Sequence, residues 1–235
     1  DCIILISLFA VFGFGALAIR YCVFPFQKEY GQHYKTLKKS WEFFIGLLTK
    51  TKIIEINIQD FEKIKNIKNS IIVSTHPSFV DIVILMSIIP DSTCFVAERL
   101  ARNPFLKGMV KLLFIIEGQN FEEMISETKS MFDKGLNVII FPMGIRHRKN
   151  EHPRIRRGAA SLAIETKKNI VILKLENSCD FLQIHQPFYD AGEKTVEFNL
   201  GYIKEINTSD YIDKFKDTVT VKTQITKEIT KALYG

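Results

Sequence analysis

The pattern of apolar positions changes character near residue 50. Cys2 to Ile19 is an unbroken uncharged run of eighteen mostly apolar residues, closed by Arg20, close to the roughly 20 residues that a membrane-crossing helix needs. Tyr21, Phe24, Pro25 and Phe26 follow as candidate interfacial anchors, and then Lys28, Lys35, Lys38 and Lys39. Lysines flanking an apolar helix mark the cytoplasmic side, which puts the rest of the chain in the cytoplasm. Trp41 to Leu48, read with Tyr34 and Leu37, predicts a lopsided helix with aromatics on one side and lysines on the other. Such a helix either lies in a membrane interface or turns one face into a core. Residues 1–50 are therefore expected to be a helical membrane anchor, its first helix either crossing the bilayer or re-entering one leaflet. A cleavable signal peptide is the competing reading: Ala16-Leu17-Ala18 matches a cleavage site, but no basic segment precedes the apolar run. The chain opens at Asp1 rather than Met, so a further N-terminal piece is expected.

From residue 51 to 235 short strand-like and helix-like segments alternate. Ile53–Ile58 alternates apolar and polar side chains, as a half-buried strand does. Ser70–Thr75, Thr93–Ala97, Leu136–Phe141 and Ile170–Leu175 are short apolar runs of the kind buried in parallel sheets. Thr195–Ile203 alternates again. Helices are expected over Phe79–Ile89, from Pro104 to about Leu113, and over Phe121–Lys134, Gly158–Lys167 and Asp210–Leu233. The fold class is α/β, a mostly parallel central sheet flanked by helices, behind an N-terminal helical membrane anchor. No repeat, low-complexity tract or linker interrupts it.

Composition sharpens the picture in three places. Apolar residues make up 46% and Phe alone numbers 19, which fits contact with lipid or acyl chains as well as a Phe-rich core. The net charge of +6 suits an anionic membrane, an acidic acyl carrier protein or a coenzyme A thioester. No nucleic-acid-binding motif accompanies that charge, so nucleic acid is not an expected partner. Cys2, Cys22, Cys94 and Cys179 form no C-x-x-C pair, so neither a disulfide framework nor a metal site is expected.

Functional groups in parallel sheets collect where strands end. Two strand ends carry unusual residues. Thr75-His76-Pro77-Ser78-Phe79-Val80-Asp81 follows the first buried strand. An imidazole is a base that works near neutral pH, and a carboxylate on its other nitrogen fixes the tautomer and supports the imidazolium. One tight turn brings His76 and Asp81 together, with Ser78 a candidate helix cap. Phe141-Pro142-Met143-Gly144-Ile145-Arg146 follows another strand, with Arg148, Arg154, Arg156, Arg157, His147 and His152 close behind. Gly144 permits close backbone approach to a ligand, and Arg146 offers a fork of donors to a phosphate. An ordinary solvated loop is the alternative for Arg148 and Arg154.

Together these segments resemble the glycerolipid acyltransferases, the superfamily of 1-acyl-sn-glycerol-3-phosphate (lysophosphatidic acid) acyltransferases. The family's N-H-x-x-x-x-D block corresponds to Thr75, His76 and Asp81. Its F-P-E-G-T-R block corresponds to Phe141 through Arg146, followed by Arg157-Gly158-Ala159-Ala160. Phe95-Val96-Ala97, Asn103-Pro104-Phe105 and Gly108 resemble the second block, and Ile170–Leu175 stands at the fourth. The resemblance implies that His76 deprotonates an acceptor hydroxyl, that Asp81 holds His76, and that no covalent acyl-enzyme forms. It implies acceptor binding by Met143, Gly144, Arg146, Arg157 and Gly158. No metal or cofactor is expected, the co-substrate being acyl-coenzyme A or acyl carrier protein, and membrane lipids are the expected partners. Met143 replaces the family's glutamate, Ile145 its threonine, Glu117-Gly118-Gln119 the usual arginine ending, and Lys174 a proline. These departures point to a divergent member with an altered acceptor. A catalytically altered lipid-binding or assembly protein is the second reading. A serine hydrolase is disfavoured, since no G-x-S-x-G elbow exists.

Overall fold

The computed structural model describes all residues except 1, 28, 77, 79, 104–106, 119, 145–153, 180 and 183–193. The chain opens with helix α1 (Cys2–Ala18), prolonged by a π turn at Ile19–Val23 and a 3-10 turn at Phe24–Phe26, and then forms α2 (Tyr30–Lys50). The strands and helices that follow are β1 (Ile54–Ile58), α3 (Phe61–Lys65), β2 (Ile71–Ser74), α4 (Asp81–Ile88), β3 (Ser92–Val96), α5 (Glu98–Arg102), α6 (Lys107–Leu113) and β4 (Ile115–Ile116). The chain continues through α7 (Phe121–Asp133), β5 (Asn137–Ile140), α8 (Gly158–Thr166), β6 (Ile170–Asn177), β7 (Val196–Ile206), α9 (Thr208–Phe215) and α10 (Thr218–Tyr234).

Among the described residues the strands make one seven-stranded sheet in the order β1-β7-β6-β2-β5-β3-β4. Every pairing is parallel except β6 with β7. Parallel neighbours must be joined by crossovers, and α4, α7 and α8 supply these, covering the sheet faces. β2, with all four residues buried, lies between β5 and β6. β7 alternates, burying Val196, Phe198 and Leu200 while Glu197 and Asn199 face solvent, as expected for a strand near the edge of the sheet.

α4 is apolar on all sides and buries Val83, Ile84, Leu85 and Met86. It therefore needs cover on the face away from the sheet, and α2 provides it. Tyr34, Leu37, Phe44, Ile45 and Leu48 of α2 are buried in the same core as the sheet residues. The Tyr34 hydroxyl donates to the Leu113 carbonyl at 3.0 Å. The aromatic face of the lopsided helix thus turns inward, leaving Phe43 62% exposed, and the core runs without a break across residue 50. α1 is different. Among the described residues, Ile3–Phe26 is the one helical stretch of 24 residues long and apolar enough to cross a membrane. Ile3, Val11 and Phe14 on it are exposed, which suits a lipid neighbour.

The single C-terminal helix expected over Asp210–Leu233 is two helices. Lys216 takes a left-handed φ of 56°, a conformation that ends a helix. Asp217 then caps α10, its carboxylate accepting from the Thr220 amide at 2.8 Å.

At the amino ends of β2 and β5 one buried side chain fastens three segments. The Asn137 amide accepts from the Ser70 amide at 3.1 Å and donates to Ile67 and Pro90 carbonyls at 3.1 and 2.9 Å. Asn137→Ala leaves these groups without partners and is expected to destabilise the protein by about 2–4 kcal/mol. A lowered urea midpoint with unchanged slope checks this.

Candidate active site

The two motif-bearing loops leave the carboxyl ends of neighbouring strands. Val73 of β2 stands opposite Ile140 of β5, so Thr75-His76 and Phe141-Pro142 emerge side by side although more than sixty residues separate them. The His76 and Phe141 rings stack, with centroids 4.1 Å apart and planes 14° apart. The stack fixes the imidazole plane.

Asp81 fixes the ring's rotation. Its Oδ2 lies 3.0 Å from His76 Nδ1 and accepts from the Ser78 amide at 2.6 Å. Asp81 is the first residue of α4 and fully buried, where the positive end of the helix dipole favours a carboxylate. An ionised carboxylate only accepts, so the hydrogen between the two groups belongs to Nδ1. In the neutral ring Nε2, on the opposite edge, then carries the lone pair. The His76 side chain is 19% exposed, enough for one edge to meet a ligand. Ser78 takes part in the turn, its hydroxyl accepting weakly from the Val80 amide at 3.4 Å; Val80 holds the N-cap position of α4.

A further residue anchors this turn. The Thr75 hydroxyl accepts from the Leu175 amide at 2.9 Å and donates to the Leu175 carbonyl. A side chain thereby continues the β2–β6 ladder one step past the last backbone pairing, Ser74 with Leu173. Sequence reasoning placed Thr75 only as a variant of the family's asparagine. The available signal was a hydroxyl-bearing, β-branched residue at the mouth of a buried strand.

The second loop turns sharply. The Gly144 amide donates to Phe141 O at 3.0 Å, and the Arg156 amide to Pro142 O at 2.8 Å. Gly144 has a φ of +74°, which favours glycine, and a Cβ there would come within 2.9 Å of the Arg156 guanidinium, which would have to move aside. Met143 is buried, 2% exposed. Arg157 is the N-cap of α8 and Gly158 its first residue. Met143, Arg156 and Arg157 share a groove of about 930 Å³ with Lys227 and Lys231 of α10. The structure thus brings His76 and Asp81 together, and groups Met143, Gly144, Arg157 and Gly158 at the adjacent strand end. Arg146 lies outside the described residues, as do Ile145, His147, Arg148, His152, Pro104, Phe105, Gln119 and the start of the expected helix at Phe79. Burial, and after it the charge of Glu117, pushes the Cys94 thiol well above its ordinary range, which makes it an inert core residue.

Comparison with known proteins supplies the class. The Acyltransferase family model matches residues 55–174, a span holding both loops and the His76–Asp81 pair. The chain belongs to the Acyltransferase family. It is similar to the human 1-acyl-sn-glycerol-3-phosphate acyltransferase beta, with 24% identity over 169 residues, covering 68% of this chain and 57% of that protein. It therefore spans less than two thirds of that relative's length. Its fold is similar to the crystal structure of the 1-acyl-sn-glycerophosphate (LPA) acyltransferase PlsC from Thermotoga maritima. The TM-score is 0.72 and the identity 13%, with 98% of this chain and 92% of that one covered.

Thr75→Val keeps the shape of the side chain and removes both bonds to Leu175. It is expected to cost about 2 kcal/mol, seen as a lower thermal midpoint, whereas Thr75→Ser restores most of it.

Proposed function

We propose that this chain is a membrane-bound O-acyltransferase that moves a fatty acyl group from a thioester to a hydroxyl of a lyso-lipid. The observation that carries this reading is the His76–Asp81 pair, with Nδ1 held at 3.0 Å from the buried carboxylate. In the proposed reaction Nε2 takes the acceptor hydroxyl's proton as its oxygen bonds to the thioester carbonyl carbon. The tetrahedral centre then collapses, the carbon–sulfur bond breaks, and the thiolate leaves with the proton from the imidazolium. Asp81 steadies the positive ring between these steps and is not itself protonated. The backbone of Gly144 and the cations Arg146 and Arg157 are proposed to hold the acceptor's phosphate, with Met143 and Gly158 shaping its seat. The names of the human and Thermotoga relatives support a lysophosphatidic-acid type of acceptor. Met143 in place of an acid argues for a divergent one.

The apolar Ile3–Phe26 stretch supports membrane attachment, and the lysines after it support a catalytic domain on the cytoplasmic face. Such a position brings the lipid acceptor to the site from the bilayer while the thioester arrives from water.

His76→Ala is expected to lower the turnover number by about a thousandfold or more without releasing the protein from membranes. Asp81→Asn, which leaves the ring without its carboxylate, is expected to cost about a hundredfold or more. Incubation of membrane fractions with thioester donors and a panel of lyso-lipids, with products resolved by mass spectrometry, checks both. Full turnover by the His76 variant would refute the mechanism. An absence of product from every donor and acceptor pair would favour a lipid-binding or assembly role, the reading that buried Met143 makes the chief rival.

A further inference from the structure

The groove beside the second loop carries more positive charge than an acceptor phosphate requires. Arg154, Arg156, Arg157, Lys227 and Lys231 all line it. Among the described residues none of the five has an acidic group within ion-pairing distance. The one acid of α10, Glu228, is bonded to Lys204 of β7, and Lys231 is the lesser of its two cationic neighbours. That hydrogen bond holds its carboxyl below the usual carboxylate range, so it stays ionised and paired. Like charges gathered with so few counter-charges repel one another, and a polyanion relieves that repulsion.

The shape narrows the choice of anion. A groove of about 930 Å³ falls at the upper end of small-molecule sites, roughly 300–1,000 Å³. Ile155 and Met143 line it too, both buried, so its accessible wall is mostly made by the arginines, lysines and threonines. Thr223, Thr226 and Thr230 of α10 border the same space with Lys227 and Lys231, a spacing of three and four residues that puts them on one helix face. Arg156 is seated directly against the Gly144 backbone, so its guanidinium is held at the groove's edge. Met143 stands two residues after Phe141, whose ring stacks on His76. Two residues of chain span at most about 7 Å, a short distance beside the length of a pantetheine arm.

We propose that this groove binds the phosphorylated nucleotide end of a coenzyme A thioester, leaving its acyl end free to reach His76. The inference rests on the acyl-transfer reading for the identity of the donor, but binding is measurable without turnover. Lys227 and Lys231 are exposed on α10 and are not among the residues proposed to hold the acceptor, although they share the groove with two of them, Met143 and Arg157, so Lys227→Gln/Lys231→Gln alters the donor's part of the groove and leaves the acceptor residues in place. Calorimetric titration of coenzyme A into the full chain in detergent is expected to show binding that weakens with salt and falls by about tenfold or more in the double variant. Lys227→Arg/Lys231→Arg is expected to bind as the unaltered protein does. In turnover assays the double variant is expected to raise KM for acyl-coenzyme A by a similar factor, with kcat little changed and no change for an acyl-pantetheine thioester that lacks the nucleotide. Equal affinity of the double variant and the unaltered protein for coenzyme A would overturn the proposal. Displacement of the ligand role to lipid would too: phosphatidylglycerol vesicles binding through these lysines while coenzyme A does not. Binding of coenzyme A without any acyl transfer would leave the groove assignment standing and remove the catalytic one.

Discussion

A carboxylate buried at the first residue of a helix is costly unless its oxygens are used, and Asp81 uses one oxygen twice. Oδ2 receives the Ser78 amide and faces His76 Nδ1, so one atom ties the turn to the helix and the helix to the imidazole. The dipole of α4 favours the negative charge there. The apolar cover around α4, including α2, keeps water away from it. What looks like scaffolding, the packing of an N-terminal helix over an all-apolar crossover helix, therefore bears directly on how well the histidine is held. The same packing ties the N-terminal part of the chain to the site, because α2 follows directly on the apolar stretch that is long enough to cross a membrane.

The sheet order does the rest. β2 is flanked by β5 and β6 rather than by β3, its successor in sequence. The chain leaves β2 through α4, reaches β3 and β4, and returns to the gap it left. This crossover sets the Phe141 loop beside His76 and gives Thr75 a backbone neighbour, Leu175, one hundred residues away. An imidazole restrained by a carboxylate on one edge, a phenyl ring on one face and a pinned backbone at its root has little freedom left. Such restraint is what a base needs if its second nitrogen is to meet a hydroxyl in one orientation.

How much of this was legible in the sequence follows from the range of each interaction. The His76–Asp81 pairing spans five residues and one turn, so it could be read locally, as could the buried strands with their continuous β-branched runs. The positions of the strands relative to one another are a different matter. Periodicity reports which face of a segment is apolar, not which segment covers it. That is why the aromatic face of α2 was open between membrane and core, and why the Thr75–Leu175 bridge and the Phe141 stack were invisible. The break at Lys216 eluded the pattern because a lysine in a left-handed conformation has no signature in hydropathy. Lys227 and Lys231 looked like the polar side of a terminal helix; only the packing of α10 beside residues 154–157 makes them part of a cationic groove.

Met143 links the two halves of the site electrostatically. It occupies the place where the related pattern carries a glutamate, and it is buried between the Phe141 turn and the arginine-bearing segment before α8. An acid at that position would stand next to Arg156 and Arg157 and offer them a partner, neutralising part of the groove from within. A thioether offers none. The substitution therefore leaves the arginines' charge to whatever anion enters from solvent, and puts an apolar side chain where the proposed acceptor seat would otherwise hold an acid. On this view the change at 143 moves positive charge out of an internal pair and into ligand binding. The proposed divergence in acceptor chemistry and the excess of cations over acids in the groove are then two consequences of one residue.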